Sequence, residues 1–228
     1  MNWLGLVVSF AFVFGFIGLA QLLLKRGVMS ASATRKVIHI GVSHWWLLAM
    51  IFFDRWEFAI IGPVAFVLIN LLSYVLRLFP AMEHEKRSRN LGTIYFPIAL
   101  TGMVLVTWGG PIPIWMGGLA ILTLGYGDGL ASLAGERSAG VRFTIFGNSK
   151  SLRGTLVMFA AATVVAAVFL TVFAGAHSLL VGEASRGVGI AITALLLGAV
   201  ATTVELVTPL GVDNLTVPFA TVALLYLL

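Results

Sequence analysis

One carboxylate, Asp128, is bracketed by Gly125, Gly127 and Gly129 in the stretch LGYGDGLASLAGERSAG, residues 124–140, at the end of an apolar run. Burying a carboxylate is costly unless it is paired or holds a cation. Flanking glycines remove side chains and would let backbone approach a ligand. Downstream, Arg137, Arg142, Asn148, Lys150 and Ser151 supply donors suited to phosphate oxygens. The bland alternative is a glycine-rich face for helix packing, its carboxylate paired to a nearby arginine. Packing alone gives no reason for Asp128.

Three further clusters carry polar side chains in otherwise apolar surroundings. In ELVTPLGVDNLTVP, residues 205–218, Glu205 lies late in one apolar run and Asp213–Asn214 open the next, with Pro209 and Gly211 in the turn between. Two carboxylates and an amide could hold a divalent cation through oxygen ligands. Asp213 would serve equally as a helix N-cap. In TRKVIHIG, residues 34–41, Arg35 and His39 are four apart and Lys36 and His39 three apart, so on a helix they can share a face. Two snorkelling cations and a histidine bonded to a backbone carbonyl would look the same. In EHEKRSRNLGTIYFP, residues 83–97, the charged half suits a solvated loop, whereas Asn90, Gly92, Thr93 and Tyr95 open an apolar run. A helix start there, with free N–H groups, suits an anion such as phosphate; Thr93 fits an ordinary N-cap as well.

The elements that position these clusters must be membrane helices. Hydrophobic residues make up 60% of the chain and charged residues 10%, where a soluble domain has about 45–50% and about 25%. Apolar runs fall at about 3–24, 37–53, 57–79, 94–108, 111–134, 154–175, 186–207 and 214–228. A spanning helix needs roughly 20 such residues, and two runs are short, so the expected fold is all-α: a polytopic membrane protein of seven or eight spans. The first run is too long for a signal peptide and lacks a basic start.

Of 14 basic residues, only Arg55 and Arg186 fall in even-numbered loops. Lys25, Arg26, Arg35 and Lys36 occupy the first loop or its edge. Arg77, Lys86, Arg87 and Arg89 belong to the third, and Arg137, Arg142, Lys150 and Arg153 to the fifth. The positive-inside rule then places the odd loops in the cytoplasm and the N-terminus outside. This distribution also explains the net charge of +5 by attraction to a membrane surface, with no nucleic acid partner implied. With no cysteine, disulfides and thiolate metal sites are excluded. No linker-like stretch divides the chain, so residues 1–228 read as a single domain. No internal repeat points to an inverted-repeat transporter.

Several motifs are missing. There is no G-x-x-x-x-G-K-[ST], and G-x-G-x-G at residues 125–129 fails the dinucleotide fingerprint. Neither H-E-x-x-H nor G-x-S-x-G occurs. Taken together and in order, RKVIH, LGTIYFP, GDGLASLAGERSAG with GNSKSLRGTLVMF, and ELVTPLGVDNLTVP resemble the signature blocks of CTP-dependent lipid-alcohol kinases. That family includes phytol, dolichol and polyprenol kinases and a diacylglycerol kinase branch. The compact length is more similar to the phytol kinase branch. Where the family often has Lys-Ser-x-Glu-Gly-Ser, this chain has Lys150, Ser151, Leu152, Arg153, Gly154 and Thr155.

The resemblance implies transfer of the γ-phosphate of CTP to a lipid hydroxyl at the cytoplasmic face of a membrane, which would be the cytoplasmic membrane in a prokaryote. Phosphoryl transfer needs positioned phosphates, metal ions, cations and an acceptor for the hydroxyl proton. On that basis Asp128 is expected to bind Mg²⁺, with Asp213 and Glu205 as further metal ligands or as the base. Lys150, Arg137, Arg142 and Asn148 are expected to hold the nucleotide phosphates, helped by Ser151, Asn214, Thr93 and the backbone at Gly127 and Gly129. Arg35, Lys36 and His39 would complete the pocket, His39 among the catalytic groups, and the apolar spans would hold the lipid tail. Cytidylyl transfer to phosphatidate would use the same clusters. A solute transporter would instead place charges at the membrane midplane, and an inert scaffold would leave the clustered Asp, Lys and Asn unexplained.

Overall fold

The computed structural model describes residues 1–76, 92–136, 140–146, 148–173 and 186–228, and of Asn148 and Arg186 the backbone alone. Arg77, Lys86, Arg87, Arg89, Asn90 and Arg137 lie outside the described residues. Within the described residues, each apolar run of the sequence is mostly helix. The first is α1 (Asn2–Lys25). The second is broken into α2 (Ala31–Ser43) and α3 (Trp45–Phe52), and the third into a single turn, α4 (Trp56–Ala59), followed by α5 (Ile61–Leu76). Then come α6 (Gly92–Thr107), α7 (Ile114–Glu136), α8 (Leu152–Phe173), α9 (Arg186–Val207) and α10 (Asp213–Leu227). Among the described residues four stretches are long and apolar enough to cross a membrane: α1, residues 56–76, α8 and residues 187–207; α6 and α10 are shorter apolar helices.

The all-helical expectation needs one addition. Between α7 and α8 the chain forms an antiparallel hairpin, β1 (Arg142–Ile145) and β2 (Asn148–Ser151), with Arg142 opposite Ser151 and Ile145 opposite Asn148. Phe146, in the two-residue connection, takes a left-handed backbone (φ 46°), as tight hairpin turns require.

Helix α7 is the hub. Its residues from Met116 to Gly125 are all buried, and it packs against α2, α3, α6, α8 and α10. Small residues make this possible, because helices in lipid associate by close packing. Gly117 and Gly118 lie under the Trp46 ring, where an added Cβ at Gly117 would come 2.4 Å from it. Trp46 is itself fully buried and donates its indole N–H to the Ile114 carbonyl at 3.0 Å. A buried indole needs such a partner.

The break between α2 and α3 is made by His44. Its amide bonds to the Gly41 carbonyl, while its ring nitrogens lie 2.8 Å from the Ile40 carbonyl and 3.0 Å from the Tyr126 hydroxyl. The α2 start is capped by Ser30, whose hydroxyl accepts from the Ala33 N–H at 3.1 Å.

The two ends of the bundle differ. At one, Asn2 meets Asp54, and Trp108 donates to the Phe53 carbonyl at 3.0 Å. Asn2's hydrogen bond holds the exposed Asp54 below the usual carboxylate range. At the other end gather the starts of α2, α6, α8 and α10 and the ends of α7 and α9. That end carries the polar clusters.

Candidate active site

Helix α7 presents Asp128, Ser132 and Glu136 on one face, since residues four apart are neighbours on a helix. All three line a cavity of about 340 Å³. Helix α2 contributes Lys36, whose ammonium lies 2.9 Å from an Asp128 carboxylate oxygen. Strand β2 contributes Lys150, which pairs with Glu205 on α9. The α9–α10 turn, with Leu210 and Gly211 at positive φ (61° and 80°), brings Asp213 back against them. One carboxylate oxygen each of Asp128, Glu205 and Asp213 lies within 4.8 Å of the others. Three carboxylates from three helices thus share one site.

Their partners are unequal. Among the described residues Asp128 and Glu205 each hold a lysine, while Asp213 is in no salt bridge. Among the described residues Asp213 accepts from its neighbour Asn214, whose backbone N–H is 3.0 Å away, with the amide nitrogen at 3.4 Å. The N-cap alternative for Asp213 is not what forms: Val212 holds the cap position and no side chain caps the helix. Asn214 also braces the turn, donating to the Gly211 carbonyl at 3.0 Å.

Other expected residues reach the same cavity. Arg142 lines it from β1, and Ser151 from the end of β2. Ser151 is also the N-cap of α8, accepting from the Gly154 N–H at 3.0 Å, which satisfies a helix-start donor. Asn148 stands at the head of β2. Arg137 falls outside the described residues.

Two arrangements differ from those expected. The room left by the missing side chains of Gly127 and Gly129 is filled by neighbouring helices. A Cβ at Gly127 would meet Met158 sulfur at 2.5 Å and one at Gly129 would meet Ile40 at 2.5 Å, so both let α8 and α2 approach α7. The bland packing explanation therefore holds for the glycines, and Asp128 is the exception on that helix. Second, Arg35, Lys36 and His39 do not share a pocket. Lys36, Ile40 and Ser43 face α7, whereas Arg35, Ile38, His39 and Val42 line a smaller cavity of about 50 Å³ with Thr93. Spacings of three and four on one helix generate these two stripes. It is His44, not His39, that bonds a backbone carbonyl.

Some residues of the cavity were not singled out from sequence. Glu136 accepts from the Ser32 hydroxyl and, with Ser132, Thr155 and Thr208, lines the cavity. The spacing 128, 132, 136 was the available signal for the α7 pair. Arg153, which stands where an acid is common in the resembling family, is exposed and lines a separate shallow groove with Val141 and Leu156.

The phytol kinase of Synechocystis sp. is 32% identical over 221 residues, covering 95% of this chain and 88% of that protein. The chain belongs to the phytol kinase family. A probable chloroplastic phytol kinase 2 of Glycine max is 29% identical, covering 90% of this chain and 68% of its own. A probable chloroplastic phytol kinase of Zea mays is also 29% identical, with 90% and 70% covered. The stretch matched to the Synechocystis phytol kinase leaves too few residues outside to miss Lys36 or Asn214, so the whole cavity lies within the likeness to phytol kinases. No family model matches, and no solved structure does.

Proposed function

We propose that this protein is an integral-membrane kinase that transfers the γ-phosphate of CTP to the hydroxyl of a lipid alcohol, phytol or a similar isoprenoid, at the cytoplasmic face. One observation carries the reading: three carboxylates and two lysines from α2, α7, β2, α9 and α10 converge in a single cavity at one end of an apolar bundle. Phosphoryl transfer calls for this combination of acids and cations.

Asp128, Glu205 and Asp213 offer hard oxygen donors, the ligand type that Mg²⁺ takes. They would hold the ion, which would supply positive charge to offset that of the phosphates. Lys36 and Lys150 already balance two of the carboxylates, and both can reorient onto phosphate oxygens as the nucleotide arrives. The starts of α8 and α10 turn their positive dipole ends toward the same cavity. In the reaction the lipid hydroxyl oxygen bonds to the γ-phosphorus and the bond from that phosphorus to the β,γ-bridging oxygen breaks, leaving CDP. The hydroxyl proton would pass to a carboxylate of this cluster, in which Asp213 is the one in no salt bridge among the described residues.

The bundle's connectivity supports the topology. The first, fifth and seventh loops meet at the cavity end, while Asn2 and Asp54 meet at the other. We infer seven or eight spans with the cavity in the cytoplasm and the N-terminus outside. Because the chain has no cysteine, single cysteines at positions 2 and 142 should label from opposite sides in intact cells; labelling from the same side overturns this orientation.

The activity is tested with CTP and ATP, each labelled on the γ-phosphate, across phytol, farnesol, polyprenol and diacylglycerol in detergent. Label should pass from CTP to an isoprenoid alcohol, with CDP as the other product and dependence on Mg²⁺. Pyrophosphate release would move the assignment to cytidylyl transfer.

A further inference from the structure

The carboxylate cavity has one apolar edge. Among the described residues that line it, the side chains are charged, hydroxyl-bearing, amide or very small, and Leu210 is the one large apolar exception. Leu210 is also 56% exposed, so it stands at the mouth of the cavity rather than in its floor. Asp213, three residues on, lines the same space.

Leucine is a strained residue for that position. The turn from Pro209 to Val212 closes with the Val212 N–H donating to the Pro209 carbonyl at 3.2 Å. Both central residues have positive φ, 61° at Leu210 and 80° at Gly211. Turns of that sign favour Asn, Asp or Gly at the first central place, because the Cβ of any larger residue crowds the left-handed backbone. Packing accounts for Gly211: a Cβ added at Gly92 of α6 would stand 3.8 Å from the Gly211 Cα and 3.0 Å from the Asn214 amide nitrogen, so α6 seats against that part of the turn. Leu210, more than half exposed, has no such cover. Strained residues that the core does not stabilise gather at ligand sites.

We propose that Leu210 is the lip over which the acceptor enters: the carbons next to its hydroxyl lie on the Leu210 side chain while the hydroxyl reaches the carboxylates around Asp213. The proposal rests on the kinase reading above for the acceptor being a lipid alcohol. A nucleotide triphosphate has no use for a leucine at the mouth of its site. A lipid alcohol does, because its hydroxyl belongs with the acids whereas the carbons beside it leave water favourably only against apolar surface. Beyond the lip the tail passes the exposed Val207 at the end of α9 and follows the apolar flank of that helix. The polar walls, with Arg142, Ser149 and Lys150 of the hairpin, are left to the nucleotide. Leu210 is thus a specificity residue for the acceptor, in the same cavity as the groups that act on it.

The test uses the full-length protein in detergent. Leu210→Gly removes the side chain and relieves the left-handed backbone, so the Tm should change little. The KM for phytol should nevertheless rise about tenfold, with the KM for CTP unchanged, and Leu210→Met should restore most of it. Because the contact is with the carbons next to the hydroxyl, C5 and C20 isoprenoid alcohols should shift by the same factor. A rise confined to the C20 alcohol would make Leu210 a contact of the tail or of the membrane and overturn the proposal. In the parent protein, a C20 isoprenoid alcohol carrying a diazirine in its first isoprene unit should crosslink within residues 207–213 and be displaced by excess phytol. An acceptor KM unmoved by Leu210→Gly, or competed crosslinks that fall elsewhere, would overturn the lip while phosphorylation by the parent protein upholds the kinase reading. Competed crosslinks at the turn without phosphorylation by CTP or ATP would sustain the lip and remove the kinase reading.

Discussion

Two ends of one bundle pair acids with bases in opposite ways. Arg55 and Glu57 lie two residues apart at 3.0 Å, with side chains 61% and 44% exposed. Lys36 and Asp128 are 92 residues apart, with side chains 22% and 14% exposed, and Lys150 meets Glu205 across 55 residues. An exposed local pair adds little, because water screens it and holding two long side chains together loses entropy. A pair taken from water loses hydration that Coulomb attraction barely returns, and replacing it by apolar residues would often be stabilising. A bundle selected only to pack would have used leucines at the second end. Charges retained there, with a third carboxylate in no salt bridge among the described residues, are what the proposed phosphoryl transfer would require.

The largest break in that contrast should come from Asp128→Asn. Removing the charge while keeping the shape should lower turnover by about 10²–10³ or more, the scale for groups aimed at transition-state charge. The protein should stay monodisperse in detergent. Near-normal turnover with unaltered Mg²⁺ dependence would reduce the cavity to a structural ion-pair network.

Next comes the Lys150–Glu205 pair. Lys150→Ala should weaken CTP affinity more than lipid affinity and lower the Tm, since Glu205 is left in the site without its counter-charge. Adding Glu205→Gln should recover the Tm but not the activity. Recovery of both would make the pair purely architectural. A thermal-shift assay and initial rates on the two single variants and the double variant decide this.

A smaller effect is expected from Gly129→Ala, which sharpens the division between packing and chemistry on α7. The new methyl meets Ile40, and overpacking of this kind is destabilising by roughly 1–3 kcal/mol. Ile40→Val should restore part of the Tm by giving back space. An unchanged Tm for Gly129→Ala alone would show that α2 and α7 are less closely packed than described.

The smallest effect belongs to the exposed end. Arg55→Ala with Glu57→Ala should leave both turnover and Tm within error of the parent protein, because both side chains are solvated. A clear loss of activity there would mean that the two ends are coupled.

How far the sequence could be read follows from the range of the forces. Runs of apolar residues give helices wherever they fall, since backbone groups out of water must bond within the segment; thus 3–24 became α1 and 154–175 became α8 almost unchanged. Asp128, Lys150, Glu205 and Asp213 stood out because a charge in such surroundings demands a partner. The hairpin at 142–151 gave no comparable signal: its strands are four residues each, and one of its faces belongs to a cavity built by other elements.

Sequence alone therefore decided the class of the molecule, its helical segments and the short list of charged side chains at its loops. Hydrophobic burial and backbone hydrogen bonding act on each segment separately, so composition and period suffice for these. Tertiary structure decided which of those side chains meet. It joined Asp128 to Lys36 and Lys150 to Glu205, turned Arg35 and His39 to the other side of α2, and gave Gly127 and Gly129 to helix packing. Such pairings depend on how helices rotate and approach one another. That is set by small residues and bulky rings in contact across distant parts of the chain, which no local pattern records.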